Sequence, residues 1–334
     1  QLVRIERIVA SREGILEALF ERTYTGLTPA ARRVFLTLCG WHSVLPQVAL
    51  EAVLLRSDNE RMDVDAAVNE LIRSSLVDIS TSESDQAPWV STPLAASIFG
   101  RRKLAVSAAK VSVEADIRIL HSFGATQPSG IRHGIGPLVE KLFQTAATRI
   151  KSSKASHTEY LPILESVARK YPPAWLLLAS LHEEVACDVE QAKECVRRFL
   201  EAVPKDEQRE GWTRLGKLCS FSKDWVGEIH ALVELADLPG ATIQAISSTA
   251  NRMNSLFREA QLVLDTDEKE ILVRRLIVLM EAHVADADAV DFSRLAWLCL
   301  QLRDVERARR WTRRGLEVEP GNIHCQKLAT KLGR

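Results

Sequence analysis

The chain lacks most of the signatures by which an activity is read from sequence. It contains no Gly-x-x-x-x-Gly-Lys-Ser/Thr, no Cys-x-x-Cys, no Gly-x-Ser-x-Gly and no two histidines three or four residues apart. Those absences exclude in turn a phosphate-cradling loop, a zinc-finger ligand pair, a nucleophile elbow and a helical His pair for a metal. No excess charge of one sign exists, since 44 Lys and Arg balance 44 Asp and Glu. A surface built throughout for nucleic acid is therefore excluded, though local patches are not. No apolar run approaches the ~20 residues that span a bilayer. A charged segment followed by an apolar one is missing at the start, so no signal peptide is read there. The chain opens on Gln1 and enters helical spacing at once, with Leu2, Ile5 and Val9. That start reads as a cut through a longer protein. Cysteine is scarce too: the six at 39, 187, 195, 219, 299 and 325 stand apart, mostly in apolar helical stretches. There a free thiol acts as a small hydrophobe, which with the missing signal peptide points to a reducing cytoplasm.

What is present is a chain of 334 residues, long enough for about two domains, with 46% apolar residues. Residues 1–24 read as one or two helices. A helix starts at Thr28-Pro29, where Thr caps free N–H groups and Pro suits the first turn. It carries Val34, Phe35 and Leu38 inward and ends near Gly40. Pro46 opens a second helix, and a third runs from about Asp63 to Leu76 with Val64, Ala67, Val68, Leu71 and Ile72 inward. Val77–Ser80 alternates as a strand, and Trp89–Ser91 pairs back on it across a polar turn. Three helices and a two-stranded hairpin predict a winged helix over 25–120, with a further helical pattern from Pro93 to about Leu120. The glycines of Ser122–Gly136 mark a linker over 121–136, and a smaller break falls at Lys151–His157.

From 137 to 334 the pattern is short amphipathic helices. Residues 291–322 resemble a tetratricopeptide repeat. Ala296 stands where helix A crosses helix B, Leu302 and Asp304 make the turn, Ala308 and Gly315 are small positions on helix B, and Pro320 closes the unit. Thr312 stands where an aromatic ring is usual. The frame also fits Trp175, Ala179, Asp188, Ala192, Leu200 and Pro204, then Trp212, Leu215, Gly216 and Asp224. Pro204 and Pro320 lie further apart than three periods of ~34 residues, so the intervening 229–288 must be irregular. One helix pair cannot bury its own apolar face, so neighbours stack into a solenoid. The expected fold class is mainly α: a winged-helix domain followed by a tetratricopeptide-like α-solenoid over 137–334.

Leu27-Thr28-Pro29-Ala30-Ala31-Arg32-Arg33-Val34-Phe35 and Ala66–Val77 resemble the winged helix of STAND-class (NB-ARC-like) NTPases. In that family a winged helix follows an ATPase core and a small helical domain, and repeats follow it. The resemblance implies that 1–24 is the end of the helical domain, and that this chain is the non-catalytic sensing region of a signalling ATPase. The family often places after the wing a His that touches bound ADP; the matching position here is Thr92. ADP or ATP is then expected only in a longer parent, and no cofactor is expected in this chain.

Charge discriminates among the candidate sites. The helix that would read DNA, about 63–76, holds Asp63, Asp65 and Glu70 against Arg73, and Ser82, Glu83, Ser84 and Asp85 would form the wing. An acidic reading helix opposes phosphate binding. Helix B of the last repeat is read as carrying Arg303, Arg307, Arg309, Arg310, Arg313 and Arg314. Arginine forks suit an acidic partner, and Glu306 and Glu317 are at hand to neutralise them instead. Arg307, Arg310, Arg314, Trp175, Trp212 and Trp297 are the candidate partner-binding residues, the tryptophans equally serving as packing between repeats. The acidic triplets Asp265/Asp267/Glu268 and Asp286/Asp288/Asp291 read as helix caps rather than a calcium loop. The expected partner is a protein or peptide on the solenoid, with oligomerisation of the parent and no membrane or nucleic acid. The alternative is a winged-helix transcription regulator with a tetratricopeptide effector domain.

Overall fold

The structure is a computed structural model. It describes residues 2–41, 43–56, 59–84, 86–123, 131, 134–152, 157–259 and 265–333, with the side chains of 2–13, 123 and 157–159 left aside. Most of the predicted linker and of the 151–157 break lie outside these residues. The chain is mainly helical and divides into two compact units, Gln1–Val185 and Ala186–Arg334.

The N-terminal unit begins with one helix, α1 (Leu2–Gly26), and then α2 (Pro29–Trp41). The cap at Thr28 forms as its spacing predicts: its Oγ1 accepts from the Ala31 N–H at 3.2 Å. Thr28 is itself held by Glu70, which accepts from its N–H at 2.9 Å and its hydroxyl at 2.7 Å. Every residue from Val34 to Cys39 is buried, polar Thr37 included. A helix buried all round needs neighbours on every side. They are α4 (Val64–Arg73), α5 (Leu94–Ala105) and α6 (Lys110–Phe123). The crossing with α5 is close because Gly100 has no side chain. A Cβ there would collide with the Cys39 sulfur and lie 2.9 Å from Phe35 Cε1.

Between these helices lie β1 (Leu45–Pro46), α3 (Gln47–Leu54), β2 (Asp78–Thr81) and β3 (Pro88–Ser91). The sheet is antiparallel with order β1-β3-β2. Trp89 of the middle strand faces Pro46 on one side and Ser80 on the other. The hairpin β2–β3 matches the sequence reading; β1 is a correction to it. Two residues cannot display alternation, and proline is compatible with an edge strand. The helical pattern of 93–120 is likewise two helices, broken where Ser107 Oγ accepts from the Ala109 N–H at 3.1 Å. The unit closes with α7 (Gly136–Lys151), α8 (His157–Lys170) and α9 (Ala174–Leu181), followed by a π-helical turn at His182–Ala186.

The C-terminal unit is helical among its described residues. It holds α10 (Val189–Ala202), α11 (Arg209–Phe221), α12 (Trp225–Ala236), α13 (Ile243–Arg258), α14 (Thr266–Ala282), α15 (Ala289–Gln301), α16 (Val305–Val318) and α17 (Ile323–Leu332). Each helix packs on the next. Two pairs follow the predicted repeat closely. In α11–α12, Gly216 stands where a Cβ would touch Ala231 at 3.7 Å. In α15–α16, Ala296 and Ala308 are fully buried. At Gly315 a Cβ would lie 2.5 Å from the Cys325 sulfur. Thr312 is buried, its hydroxyl donating to the Ala308 carbonyl at 2.8 Å.

Three turns of this unit share one construction. Cys187, Lys223 and Arg303 adopt φ of 53°, 60° and 61°. Each precedes an Asp (188, 224 or 304) whose carboxylate accepts the N–H three residues on and caps the next helix. Arg303, read in the sequence as part of helix B, therefore belongs to the turn. Four residues after the cap stand Ala192 and Ala308, small and buried. In α12 the same position is Glu228, buried and held by Arg252 through two 2.9 Å hydrogen bonds. The Arg252 guanidinium lies 5.3 Å over the Trp225 ring. A carboxylate where the repeat wants a methyl group is one physical reason for the poor match beyond 228.

The caps should differ in cost. Asp304→Ala loses a cap, about 1 kcal/mol. Asp224→Ala loses a cap and also a partner of buried Lys193 at 3.1 Å, leaving Glu190 at 2.9 Å. Urea midpoints should fall further for Asp224→Ala than for Asp304→Ala.

Burial pushes the Cys39 and Cys299 thiols up to about 12 and Cys219 to about 11. Reactivity needs thiolate and access. Only Cys187 is exposed. One thiol should react promptly with a disulfide reagent in the native protein, and six after denaturation.

Candidate partner-binding surface

The arginines of α16 meet their neighbours at Glu281 of α14. Arg307 donates both Nε, at 2.8 Å, and Nη2 to that carboxylate. The Trp311 indole N–H donates to the same group at 3.1 Å, and Arg310 approaches it at 3.7 Å. Glu281 hydrogen-bonds hold the Arg307 proton more firmly than usual. Trp311 is stacked on Phe292 of α15, with centroids 5.8 Å apart, and the Arg310 guanidinium lies 4.8 Å from the Trp311 ring centre. Ring on ring and a carboxylate binding three donors make a fixed assembly, on which Arg310, 63% exposed, rests a cation that is not itself tied down.

Outward from it, Glu306, Arg309, Arg310, Trp311, Arg313, Arg314 and Glu317 line a shallow hollow of about 450 Å³. Arg309 pairs with Glu306 at 2.8 Å and Arg314 with Glu317 at 3.0 Å. Both are exposed pairs on one helix, worth a few tenths of a kcal/mol at most. Arg313 makes no ion pair among the described residues. Arg310, Arg313 and Arg314 can therefore turn to an incoming acidic group at small cost, whereas Arg307 is committed to Glu281.

The five predicted residues of the C-terminal unit do not form one site. Arg307 and Arg310 converge, with Arg314 further along α16. Trp297, on α15, lies under the Lys331 ammonium at 4.3 Å. Trp212 is half-buried on α11 and donates to Gln208 Oε1 at 3.1 Å. Trp175 is buried in α9 of the other unit. Thr92 is half-buried in the connection from β3 to α5. Glu281 and Phe292 were missed. Neither stands out in sequence, because each acts through residues more than ten positions away.

The acidic triplets are caps. Asp265 accepts from the Glu268 N–H at 2.7 Å, and Asp288 and Asp291 form a reciprocal capping box. Glu268 pairs with His230 at 2.7 Å. Among the described residues no three His, Cys, Asp or Glu side chains gather as a metal site, and no helix is long and apolar enough to cross a membrane. Arg101–Lys103 fall at the end of α5, where Arg102 pairs with Glu17 at 3.3 Å and Lys103 with Glu21 at 2.6 Å on α1.

No protein-family model matches this chain, and no curated protein matches it. Among solved structures one is a Signal Transduction ATPase with Numerous Domains (STAND) protein with a tetratricopeptide repeat sensor, from Pyrococcus horikoshii. The identity is 10% and the TM-score 0.25, over 95% of this chain and 50% of that one. The present chain thus spans about half the length of that structure, and a likeness at this level fixes neither fold nor function.

Proposed function

We propose that this chain is the non-catalytic regulatory and partner-sensing region of a STAND-type signalling ATPase. Residues 25–120 would act as a winged-helix relay, and the helical repeats would read a protein or peptide trigger in the cytoplasm. The observation that carries this reading is the order α2-β1-α3-α4-β2-β3 with sheet order β1-β3-β2, an arrangement of three helices and a small antiparallel sheet that fits a winged helix. The repeat-like hairpins α11–α12 and α15–α16 further along the chain support the second half. On α1, Ile15, Leu16 and Leu19 are exposed, a face that the remainder of a small helical domain would cover. Nucleotide would bind in the ATPase core of the parent, with Thr92 near it in place of the family's His. A trigger shifts such a switch only by binding its two states differently.

The transcription-regulator reading is weaker on the charges of α4. Its carboxylates are used internally: Glu70 holds Thr28, and Asp65 accepts from Gln47 at 2.6 Å and Lys170 at 3.3 Å. Its basic residue, Arg73, donates to the Asn69 carbonyl.

The coding sequence upstream of Gln1 tests the proposal. A Gly-x-x-x-x-Gly-Lys-Ser/Thr motif followed by an acidic strand is expected. An initiating Met a few codons before Gln1 would overturn it, and salt-dependent duplex DNA binding would then favour the alternative. For the repeat surface, a poly-glutamate peptide serves as probe. Arg310→Glu with Arg313→Glu and Arg314→Glu should weaken its binding at least tenfold in a fluorescence titration, while Arg258→Glu should not.

A further inference from the structure

The outward face of α16 sets its arginines between two carboxylates. Glu306 and Glu317 stand about 16 Å apart along the helix, at 1.5 Å per residue. Arg309, Arg310, Arg313 and Arg314 lie between them, and all of these line the hollow beside Trp311. Counting Arg307 and Glu281 behind it, five guanidiniums meet three carboxylates, so two positive charges are in excess.

The arginines differ in what holds them. Arg309 donates to the Leu332 carbonyl through Nε at 3.3 Å and Nη2 at 3.0 Å, besides its pair with Glu306. Arg310 and Arg314 are 63% and 56% exposed, and Arg313 is exposed without an ion pair among the described residues. Residues three and four apart are neighbours on a helix, so Arg310, Arg313 and Arg314 form a triangle. Like charges at that spacing destabilise a helix. Three such pairs occur here: Arg309 with Arg313, Arg310 with Arg313, and Arg310 with Arg314. An anion seated among them relieves the repulsion.

We propose, resting on the reading of α16 as an acidic partner's surface, that this triangle holds the phosphate group of a phosphorylated side chain on a protein partner. A phosphate monoester carries a charge of about −1.5 to −2 at neutral pH and three acceptor oxygens on one atom. It matches the excess charge and offers an oxygen to each fork. A carboxylate brings one charge and two oxygens. A row of carboxylates, or a nucleic-acid backbone, would run on from the triangle into Glu306 and Glu317. A free metabolite fits less well than a protein, because a shallow hollow on one helix cannot enclose a small molecule. The half-buried Trp311 ring offers contact area to the chain around the phosphate.

The test is fluorescence anisotropy of the whole chain with labelled ten-residue Gly-Ala peptides. Their centres carry one phosphoserine, two adjacent glutamates, or one serine. The phosphoserine peptide should bind at least fivefold more tightly than the glutamate pair of similar charge, and the serine peptide should not bind. Arg313→Gln should weaken the phosphoserine peptide about tenfold, the loss of one charge-assisted contact. It should also bring the two acidic peptides within twofold of each other, and leave the melting temperature no lower, since it removes like-charge pairs. Arg258→Gln, exposed on α13, should change binding by less than twofold. Equal binding of the two acidic peptides overturns the proposal and leaves the acidic-partner reading in place. So does a preference that survives Arg313→Gln. Free O-phosphoserine binding as tightly as the peptide overturns the protein source. Failure of the phosphoserine peptide to bind overturns the proposal, and if poly-glutamate fails too, the acidic-partner reading falls with it.

Discussion

Replacing Asp116 with Ala should destabilise the N-terminal unit by about 3–5 kcal/mol, the cost of leaving buried charges without their counter-ion. The carboxylate is fully buried, and the Arg33 and Arg56 side chains beside it are only 12% and 15% exposed. Asn59 donates to the same oxygen as Arg56, at 3.1 Å. Removal would take the shared carboxylate from two guanidiniums on two segments of the fold at once. Urea denaturation followed by tryptophan fluorescence measures the loss. A triple variant, Asp116→Leu with Arg33→Met and Arg56→Met, separates charge from packing. Replacing a whole buried network by apolar side chains is often near neutral. The triple variant should therefore recover most of the stability that Asp116→Ala loses. A single-variant cost under about 1 kcal/mol would mean that solvent reaches the arginines and that the network does not fasten α6 to α2.

Trp89→Ala should cost a similar amount, about 3–5 kcal/mol, by the void it leaves. Trp89 is the largest fully buried side chain among the described residues and sits on the middle strand of the sheet. Its indole nitrogen is buried, with no hydrogen-bond partner among the described residues. That distinguishes two replacements. Phenylalanine discards the unpaired donor while keeping a ring in the space, so Trp89→Phe should cost well under half of what alanine costs. Equal losses for Phe and Ala would mean that the indole N–H has a partner after all. Circular dichroism melts of the three proteins give the comparison.

Local signals carried the helices of both units into view from sequence. Thr28-Pro29, Asp63, Asp188, Asp224 and Asp304 announce helix starts because a cap acts within three residues. Gly216, Ala296 and Ala308 announce crossings because a helix pair needs small residues at fixed offsets. What escaped the sequence is what acts at a distance. The strand Leu45–Pro46 exists only by pairing with Val90 and Trp89, some forty residues later. Asp116 reads as one more charge on an amphipathic helix until Arg33 and Arg56 are placed against it. Glu281 is equally silent, although it organises Arg307, Arg310 and Trp311. The Glu228–Arg252 pair shows the reverse case: it hides a repeat from the sequence by placing charge where a methyl group is expected.

The three capped turns at Cys187, Lys223 and Arg303 set different rules for residue identity and for chain length. Each joins a left-handed backbone to an aspartate that must stand next to it, so the positions tolerate exchange of side chains more readily than a change in number. A glycine at any of the three relieves strain of about 1 kcal/mol, against a similar loss to the greater freedom of the unfolded chain. One inserted residue uncouples the turn from its cap. The segment around Gly240 is different: φ is +75° there and nothing lies within 4 Å of where a Cβ would be. In a natural lineage, additions and deletions should accumulate around Gly240, while 187–188, 223–224 and 303–304 keep their length and vary in letter. Grafted tags or epitopes belong in the first place and not in the other three.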